Sequence, residues 1–224
     1  MSNNALVTGA NGSLGTAIVN RFKYSHNKVV GMPKGLRRKE MIFDWLDERK
    51  METPFSTVIL NDGINHLSWI GETPAADEAI IDVNLMSAYW TLDWLVANNN
   101  AAANVIFITS QTYRVPQRTT SLYCASKAAL TQLMKTAARE LAPKGWVINA
   151  IAPGKIIDTE MSQLTDDQVL ELRGWTIADA DEYAKKLIPA GRYTYCGEVA
   201  DAVQWLLGAP TYINGAVIEM MGAV

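Results

Sequence analysis

Residues 5–19 read Ala-Leu-Val-Thr-Gly-Ala-Asn-Gly-Ser-Leu-Gly-Thr-Ala-Ile-Val, which is an apolar run followed by a glycine-rich turn and an amphipathic segment. The apolar run predicts a buried strand, and the last part predicts a helix. Glycines in such a turn let backbone N–H groups approach a pyrophosphate at the helix N-terminus, where the helix dipole also favours negative charge. An ordinary strand-to-helix connection could look similar, but this order of elements is the context that a dinucleotide-binding turn requires. The stretch therefore predicts an α/β fold.

Further apolar segments predict the rest of a parallel sheet. Besides residues 5–7, the predicted strands are residues 28–32, 41–44, 57–60, 105–109, 146–151 and 212–219. Only eight residues separate the second strand from the third, which is too few for the usual crossover helix, so we expect a shortened turn there. Apolar residues at helical spacing predict helices over residues 76–98 and 123–141. The expected fold is a doubly wound Rossmann fold with seven parallel strands and helices on both faces.

Length and composition exclude several classes of protein. With 224 residues, of which 49% are hydrophobic, we expect one domain that spans residues 1–224. A net charge of -3 and a pI near 5.4 disfavour nucleic acid as a partner. Cys124 and Cys196 lie far apart, which argues against a disulfide framework and a metal cluster and fits a reducing cytoplasm. Since no apolar run reaches membrane-spanning length and no signal peptide is visible, we expect a cytoplasmic protein without a membrane partner.

The stretch from Ser110 to Lys127 predicts a site for acid–base chemistry. Ser110 ends an apolar run, so its hydroxyl should emerge at the C-terminal edge of a strand, where open α/β sheets bind ligands. Tyr123 and Lys127 are four residues apart in a predicted helix and therefore share one face. An ammonium close to a phenol favours the phenolate and lowers the pKa of the phenol. The three groups could hold a carbonyl oxygen and protonate it while a hydride arrives on the carbon.

The spacing of these residues carries a family resemblance. An isolated Tyr-x-x-x-Lys is a weak signal, because such a tyrosine is more often an amphipathic side chain with a wet tip. Here a serine lies thirteen residues before Tyr123, and with this spacing the chain resembles the classical short-chain dehydrogenase/reductase family. Residues 188–200 and 212–219 also resemble that family, so the likeness spans nearly the whole chain. The resemblance implies hydride transfer between a nicotinamide cofactor and a carbonyl or alcohol.

The resemblance implies a role for each catalytic residue. Tyr123 would be the general acid in reduction and the general base in oxidation, and Ser110 would position the carbonyl oxygen. Lys127 would lower the pKa of Tyr123 and bind the nicotinamide ribose. Asn84 matches the fourth catalytic position of the family, which holds a water that links the lysine to bulk solvent. The alternative interpretation of Asn84 is a helix-interior polar residue satisfied by its neighbours.

The resemblance also implies a set of cofactor contacts. In the family's turn, Thr-Gly-x-x-x-Gly-x-Gly, Ser13 replaces the middle glycine. Residues 61–64 match the family's Asn-Asn-Ala-Gly only in part, and Asp44 matches its adenine-contacting aspartate after the third strand. Thr159 matches the threonine that meets the nicotinamide carboxamide, although it stands one residue further on than is common. The predicted contacts are Gly9, Asn11, Ser13, Leu14, Gly15, Asp44, Asn61, Gly63, Tyr123, Lys127, Pro153, Gly154 and Thr159.

The loop after the second predicted strand favours NADP(H) over NAD(H). Pro33 stands where an acidic residue would bind the ribose 2′-hydroxyl, and Lys34, Arg37 and Arg38 follow it. Basic residues there accommodate a 2′-phosphate, so these three complete the predicted cofactor site. The alternative is a solvated basic loop.

The sequence allows more than one function and more than one interpretation of residues 162–188. Our first expectation is a 3-oxoacyl thioester reductase, because the chain is similar overall to acyl-carrier-protein reductases. The alternatives are a reductase of small ketones, sugars or polycyclic substrates, or a regulatory protein that senses NADP(H) without turnover and so needs no proton donor. Residues 162–188 could be either a mobile substrate lid or a surface helical pair. The resemblance implies a homodimer or homotetramer, and we expect no metal.

Overall fold

A computed structural model describes residues 3–50, 54–72 and 75–223 of the chain. Within these ranges one parallel sheet has six strands in the order β2-β1-β3-β4-β5-β6. The strands are β1 (Asn4–Val7), β2 (Lys28–Gly31), β3 (Phe55–Leu60), β4 (Asn104–Ile108), β5 (Val147–Pro153) and β6 (Val217–Met220). The strand order reverses between β1 and β3, and doubly wound sheets bind ligands at such a switch point. The predicted Rossmann-type α/β fold is confirmed.

Helices cover both faces of the sheet. They are α1 (Ser13–Phe22), α2 (Lys39–Asp47), α3 (Ser87–Asn98), α4 (Ser121–Leu141), α5 (Glu160–Arg173), α6 (Ile177–Leu187) and α7 (Cys196–Leu207). Successive strand side chains point to opposite faces, so Leu6 belongs to an apolar layer with α2, α3 and α4, while Val7 belongs to another with α1 and α7. The two layers cover both faces of the sheet, so the C-terminal edge of the sheet is the part that stays open to a ligand.

The third predicted strand, residues 41–44, is wrong, because these residues lie inside α2. Ile42 and Leu46 are four residues apart and buried, whereas Met41 and Asp44 are exposed. This spacing places one face of a helix on the core, and a short apolar run cannot distinguish that helix from a strand. The nine-residue helix makes the crossover from β2 to β3, so the sheet of described residues has six strands rather than seven.

The predicted helix over residues 76–98 is divided into three parts. A 3₁₀ turn (Ala75–Ala79) is followed by a π-helical turn (Asp82–Met86) and then by α3. Asn84 lies within the π-helical turn, and only 1% of it is exposed. Such turns widen a helix locally and occur frequently at functional sites. Here the turn directs the Asn84 amide towards α4 and towards the loop after β3.

Candidate active site

A cavity of about 1050 Å³ lies along the C-terminal edge of the sheet, from the glycine turn to the start of α4. Parallel strands end at the same edge, so the residues that follow β1, β3, β4 and β5 meet there. The volume is slightly above the ~300–1,000 Å³ that is typical of small-molecule sites, which leaves room for a dinucleotide together with a substrate. The predicted site residues that line the cavity are Gly9, Ser13, Leu14, Gly15, Lys34, Asn61, Gly63, Ser110, Tyr123, Lys127, Pro153, Gly154 and Thr159.

The predicted acid–base groups converge at one end of this cavity. Tyr123 and Lys127 lie one turn apart on α4, and Lys127 Nζ is 5.8 Å from the centre of the Tyr123 ring. The Ser110 hydroxyl accepts a hydrogen bond from the Thr112 N–H (3.3 Å) and is also hydrogen-bonded to Tyr123. Lys127 is buried, and its Nζ donates to the Ile108 carbonyl oxygen (3.1 Å). A phenol, a hydroxyl and a buried ammonium are thus brought together at the end of β4.

Burial governs the protonation of these groups. It raises the pKa of the Tyr123 phenol above its ordinary value, while the hydrogen bond with Ser110 lowers this pKa in part. The predicted lowering of that pKa by Lys127 is not observed, because burial is the largest effect and the ammonium is directed to the Ile108 carbonyl. Burial also lowers the pKa of Lys127 to about 8. At neutral pH the phenol therefore keeps its proton and most of the lysine is charged.

Asp62 is a titratable residue of the site that the sequence analysis missed. Its backbone N–H donates to the Thr8 hydroxyl (3.3 Å), and its Oδ1 lies 3.1 Å from where a Cβ on Gly9 would be. Burial raises the pKa of Asp62 to about 6, and the hydrogen bond with Thr8 and the charge of Lys127 lower it in part. Asp62 in turn raises the pKa of Lys127 against the effect of burial. The available signal was a charged residue two positions after the end of a buried strand.

The Asn84 side chain connects the loop after β3 with α4. Its Oδ1 accepts from the Ile64 N–H (2.8 Å), and its Nδ2 donates to the Ile64 carbonyl oxygen (2.9 Å) and to the Ser126 hydroxyl (3.0 Å). The Ser126 hydroxyl donates to the Tyr123 carbonyl oxygen (2.7 Å). Asn84 thus links the loop after β3 to α4 without lining the cavity. Its contact with a relay water stays a prediction.

The glycine turn fits the diphosphate of a dinucleotide. Gly9 has a φ of +62°, and a Cβ on Gly15 would lie 2.1 Å from the Gly9 carbonyl oxygen, so the turn requires glycine at both positions. Helix α1 begins at Ser13 without a side-chain cap, which leaves its first N–H groups for a ligand. Ser13 and Leu14 line the cavity at this point. Backbone N–H groups at a helix N-terminus are a suitable site for phosphate oxygens.

Four predicted cofactor residues do not line the cavity in the part of the chain that the structure describes. Asn11 Oδ1 accepts from the Lys34 N–H (2.8 Å), so Asn11 holds the loop after β2. Arg37 and Arg38 are exposed just before α2. Asp44 is exposed on α2, and the strand that was expected to place it beside the adenine does not form. The structure brings Lys34 to the site, but not Arg37, Arg38 or Asp44.

The segment after β5 closes the opposite side of the cavity. Thr159 caps α5, because its hydroxyl accepts from the Ser162 N–H (3.0 Å) and donates to the Ile156 carbonyl oxygen (3.1 Å). Gln168 Oε1 on α5 accepts from the Leu67 N–H (3.1 Å), so the helix contacts the loop after β3. The contact of Thr159 with the nicotinamide carboxamide stays a prediction.

The part of the cavity beside α5 and α6 is lined by both polar and apolar side chains. The polar ones on α5 include Ser162, Thr165 and Asp166, and the apolar or aromatic ones include Leu67, Trp69, Val115, Met161, Val169, Leu172, Trp175 and Tyr183. Arg118 also lines this part, and its guanidinium lies 5.1 Å from the centre of the Trp69 ring. Arg114, in contrast, donates to both carboxylate oxygens of Glu219 (3.0 Å each). Of the two arginines between Ser110 and Tyr123, Arg118 is the one placed to meet a substrate.

Two structural features are absent from the described ranges. No helix in residues 3–50, 54–72 and 75–223 is long and apolar enough to cross a membrane. Nor do these residues include a group of three or more His, Cys, Asp or Glu side chains that could hold a metal ion. Cys124 and Cys196 are both free.

Comparisons with known proteins identify the family. A family model described as short chain dehydrogenase matches residues 47–169, which is more than half of the chain. The 3-oxoacyl-(acyl-carrier-protein) reductase MabA of Mycobacterium tuberculosis is 29% identical over 244 residues, which cover 100% of this chain and 93% of MabA. The acetoacetyl-CoA reductase of Synechocystis is 32% identical over 175 residues, which cover 76% of this chain and 68% of that protein.

The fold is also shared with solved structures. A variant of actinorhodin polyketide ketoreductase, solved with NADPH, has a TM-score of 0.89 at 19% identity, with 99% of this chain and 96% of that chain covered. The likeness to it concerns the fold, whereas the family model and the sequence relatives concern the family. The chain therefore belongs to the classical short-chain dehydrogenase/reductase family, resembles its 3-oxoacyl-acyl-carrier-protein reductases, and is an oxidoreductase that acts on a CH–OH or carbonyl group with NAD(P).

Proposed function

We propose that the protein reduces a 3-oxoacyl thioester to the 3-hydroxyacyl thioester with NADPH, and that Tyr123 is the proton donor. The observation that carries this proposal is the convergence of the Ser110 hydroxyl, the Tyr123 phenol and the Lys127 ammonium at the end of a cavity whose lining is largely apolar. MabA and the acetoacetyl-CoA reductase are both named for the reduction of 3-oxoacyl thioesters, which supports this substrate class.

The geometry supports a proposed step for each of these side chains. When bound, the nicotinamide supplies a hydride to the carbonyl carbon. Ser110 donates a hydrogen bond to the carbonyl oxygen, and Tyr123 transfers its proton to that oxygen, so the ketone becomes a secondary alcohol while the cofactor is oxidised. The Tyr123 phenolate takes a proton back from solvent, and Lys127, whose Nζ donates to the Ile108 carbonyl oxygen, would bind the nicotinamide ribose. Because burial raises the pKa of Tyr123, the phenol is protonated at neutral pH and is ready to act as the acid of a reduction.

The apolar side chains of the lining and Arg118 support an acyl substrate. An acyl chain gains free energy from burial against side chains such as Trp69, Val169 and Leu172, at roughly 0.8 kcal/mol for each buried CH₂. Arg118 lines the same part of the cavity and supplies a positive charge for an anionic carrier group.

NADPH is the proposed cofactor because of the residues at the end of the cavity around Lys34, where the adenosine would lie (the adenosine end). Lys34 lines the cavity near the glycine turn, and Pro33 takes the place of the acidic residue that would bind a 2′-hydroxyl. Arg37 and Arg38 are exposed nearby and add positive charge, although they do not line the cavity. The NADPH in the actinorhodin ketoreductase structure agrees with this proposal.

A substrate panel with both reduced cofactors tests the proposal. We expect acetoacetyl-CoA and longer 3-oxoacyl thioesters to consume NADPH faster than NADH, as followed by the loss of absorbance of the reduced nicotinamide. Small ketones, sugars and polycyclic ketones are the comparison substrates. Faster turnover of one of these would overturn the thioester assignment. Tight binding of NADPH with no turnover of any substrate would instead show a sensor.

The proposal also includes the assembly and the location of the protein. Residues 1–224 would fold as one domain, with residues 162–188 as a lid, and form a homodimer or homotetramer through α3 and α4, which leave Tyr89, Val96 and Leu122 exposed. Light scattering after size-exclusion chromatography would test the assembly, since a monomer at micromolar concentration contradicts it. The free cysteines agree with a location in the reducing cytoplasm.

A further inference from the structure

An ion pair connects two distant parts of the chain at the adenosine end of the cavity. Lys34 Nζ, on the loop after β2, donates to Glu160 Oε2 at 2.6 Å, and Glu160 is the first residue of α5. Both residues line the cavity. The Glu160 N–H also donates to the Ser13 hydroxyl at the glycine turn (3.4 Å). The start of α5 therefore contacts the residues at which a dinucleotide would place its phosphates.

The Lys34 side chain can change its partner while its backbone stays in place. The Lys34 N–H donates to Asn11 Oδ1 (2.8 Å), which fixes the backbone to the glycine turn. The side chains of Lys34 and Glu160 are 52% and 66% exposed, so the pair is held weakly and is screened by salt. A phosphate group carries more negative charge than a carboxylate and offers three acceptor oxygens, so it can replace Glu160 on the ammonium. A 2′-hydroxyl has no charge and cannot.

We propose that Glu160 is a specificity-determining residue whose carboxylate occupies, on Lys34, the place that the cofactor's 2′-phosphate takes. Only the phosphorylated dinucleotide would then separate Lys34 from Glu160, and this separation would release the start of α5 from the loop after β2. This inference rests on the proposed use of NADPH. The contact between Lys34 and Glu160 would then determine both which cofactor binds and whether the cavity opens beside α5.

Titration calorimetry of the unmodified protein and three variants tests this inference. The variants are Glu160→Gln, Lys34→Met and the double variant, and the ligands are NADPH and NADH at low and high salt. Glu160→Gln removes the competitor, so we expect NADPH to bind about 2- to 5-fold more tightly, the range of an exposed ion pair, with NADH unchanged. The gain should shrink at high salt and vanish in the double variant.

A matched control is Glu182→Gln. Glu182 forms an exposed ion pair with Lys186 on α6 (2.7 Å) and does not line the cavity, so both affinities should stay unchanged. Hydrogen exchange supplies a second readout, in which NADPH but not NADH should speed exchange at the first turn of α5. This difference should be lost in Glu160→Gln.

The outcomes separate this inference from the proposed function. If Lys34→Met weakens NADPH binding but Glu160→Gln changes nothing, Glu160 is not a selectivity residue, although the use of NADPH stands. If Glu160→Gln raises the affinities for NADPH and NADH equally, Glu160 repels both dinucleotides in the same way, and the inference is also overturned. If Lys34→Met leaves the affinity for NADPH unchanged, both the inference and the proposed 2′-phosphate contact are wrong.

Discussion

The two ends of the cavity differ in how their polar groups are held. At the catalytic end Ser110, Lys127 and Asn84 are 8%, 3% and 1% exposed, whereas at the adenosine end the side chains of Lys34 and Glu160 are 52% and 66% exposed. The catalytic groups are hydrogen-bonded to backbone atoms and to each other, so packing fixes their positions. The exposed pair is held more weakly. Under our proposals the rigid end would carry the chemistry, and the weakly held pair would determine the choice of cofactor.

The largest effect is expected at the catalytic end. Tyr123→Phe removes the proton donor, and general acid catalysis typically contributes ~10²–10⁴ to the rate, so we expect kcat to fall at least ~100-fold while NADPH still binds. Tyr113→Phe is the control, because the Tyr113 hydroxyl donates to Glu219 (2.6 Å) and does not line the cavity. Near-normal turnover by Tyr123→Phe would exclude it as the acid.

The glycine turn joins the two ends and should be the next most sensitive position. In Gly15→Ala the new Cβ would lie 2.1 Å from the Gly9 carbonyl oxygen, so the backbone of the turn must shift. We expect a loss of about 1–3 kcal/mol in stability and a loss of ~10-fold or more in dinucleotide affinity. Urea unfolding and titration calorimetry would measure the two effects.

Gly197→Ala provides the matched control for this prediction. Gly197 lies in α7, and a Cβ there would meet nothing within 4 Å. Alanine is also the better helix former, so stability should be unchanged or raised by up to ~1 kcal/mol. If Gly15→Ala matches Gly197→Ala in stability and in dinucleotide affinity, the turn does not require glycine at position 15.

A pH-dependent effect is expected from Asp62, which lies between the two ends. Its folded-state pKa of about 6 exceeds the ordinary value, so the folded protein binds more protons than the unfolded chain between about pH 4 and pH 6. Stability should therefore fall as the pH rises through this range, by about 2–3 kcal/mol. In Asp62→Asn this fall should be absent, as measured by urea unfolding from pH 4 to pH 8. If the free energy of unfolding depends on pH in the same way in both proteins, the pKa of Asp62 is not raised in the folded state.

The smallest effect is expected at Asp44. This residue is exposed on α2 and does not line the cavity, so Asp44→Asn should leave the affinities for NADPH and NADH within about 2-fold of their original values, since surface substitutions usually change free energies by under ~0.5 kcal/mol. Titration calorimetry would measure both. A loss of ~10-fold or more in affinity would contradict this and would indicate that Asp44 contacts the adenine.

The buried parts of the fold were the most predictable from the sequence. The apolar runs of β1 and β4 are fully buried and could be assigned from composition, and the helical spacing of Tyr123 and Lys127 fixed their common face. Ser110 lies two residues after the end of β4, so its position at the C-terminal edge of the sheet could also be predicted. The roles of these residues came from the family resemblance and stay predictions until variants are measured.

The remaining features depend on contacts between distant residues. Residues 41–44 could have formed a strand or one face of a helix, and only the burial of Ile42 and Leu46 against the sheet decides between them. The raised pKa of Asp62 follows from packing around the end of β3. The pairing of Lys34 with Glu160 joins residues 126 positions apart, and no local pattern indicates it.

Hydride transfer by the site can be measured directly with labelled cofactor. Acetoacetyl-CoA would be incubated with NADPH that carries deuterium at the transferable position of the nicotinamide, and the product analysed by mass spectrometry. We predict that 3-hydroxybutyryl-CoA carries one deuterium on the former carbonyl carbon and that Tyr123→Phe forms it at least ~100-fold more slowly. A protein that binds NADPH but forms no labelled product, or a Tyr123→Phe variant that forms it at an equal rate, would contradict the assignment.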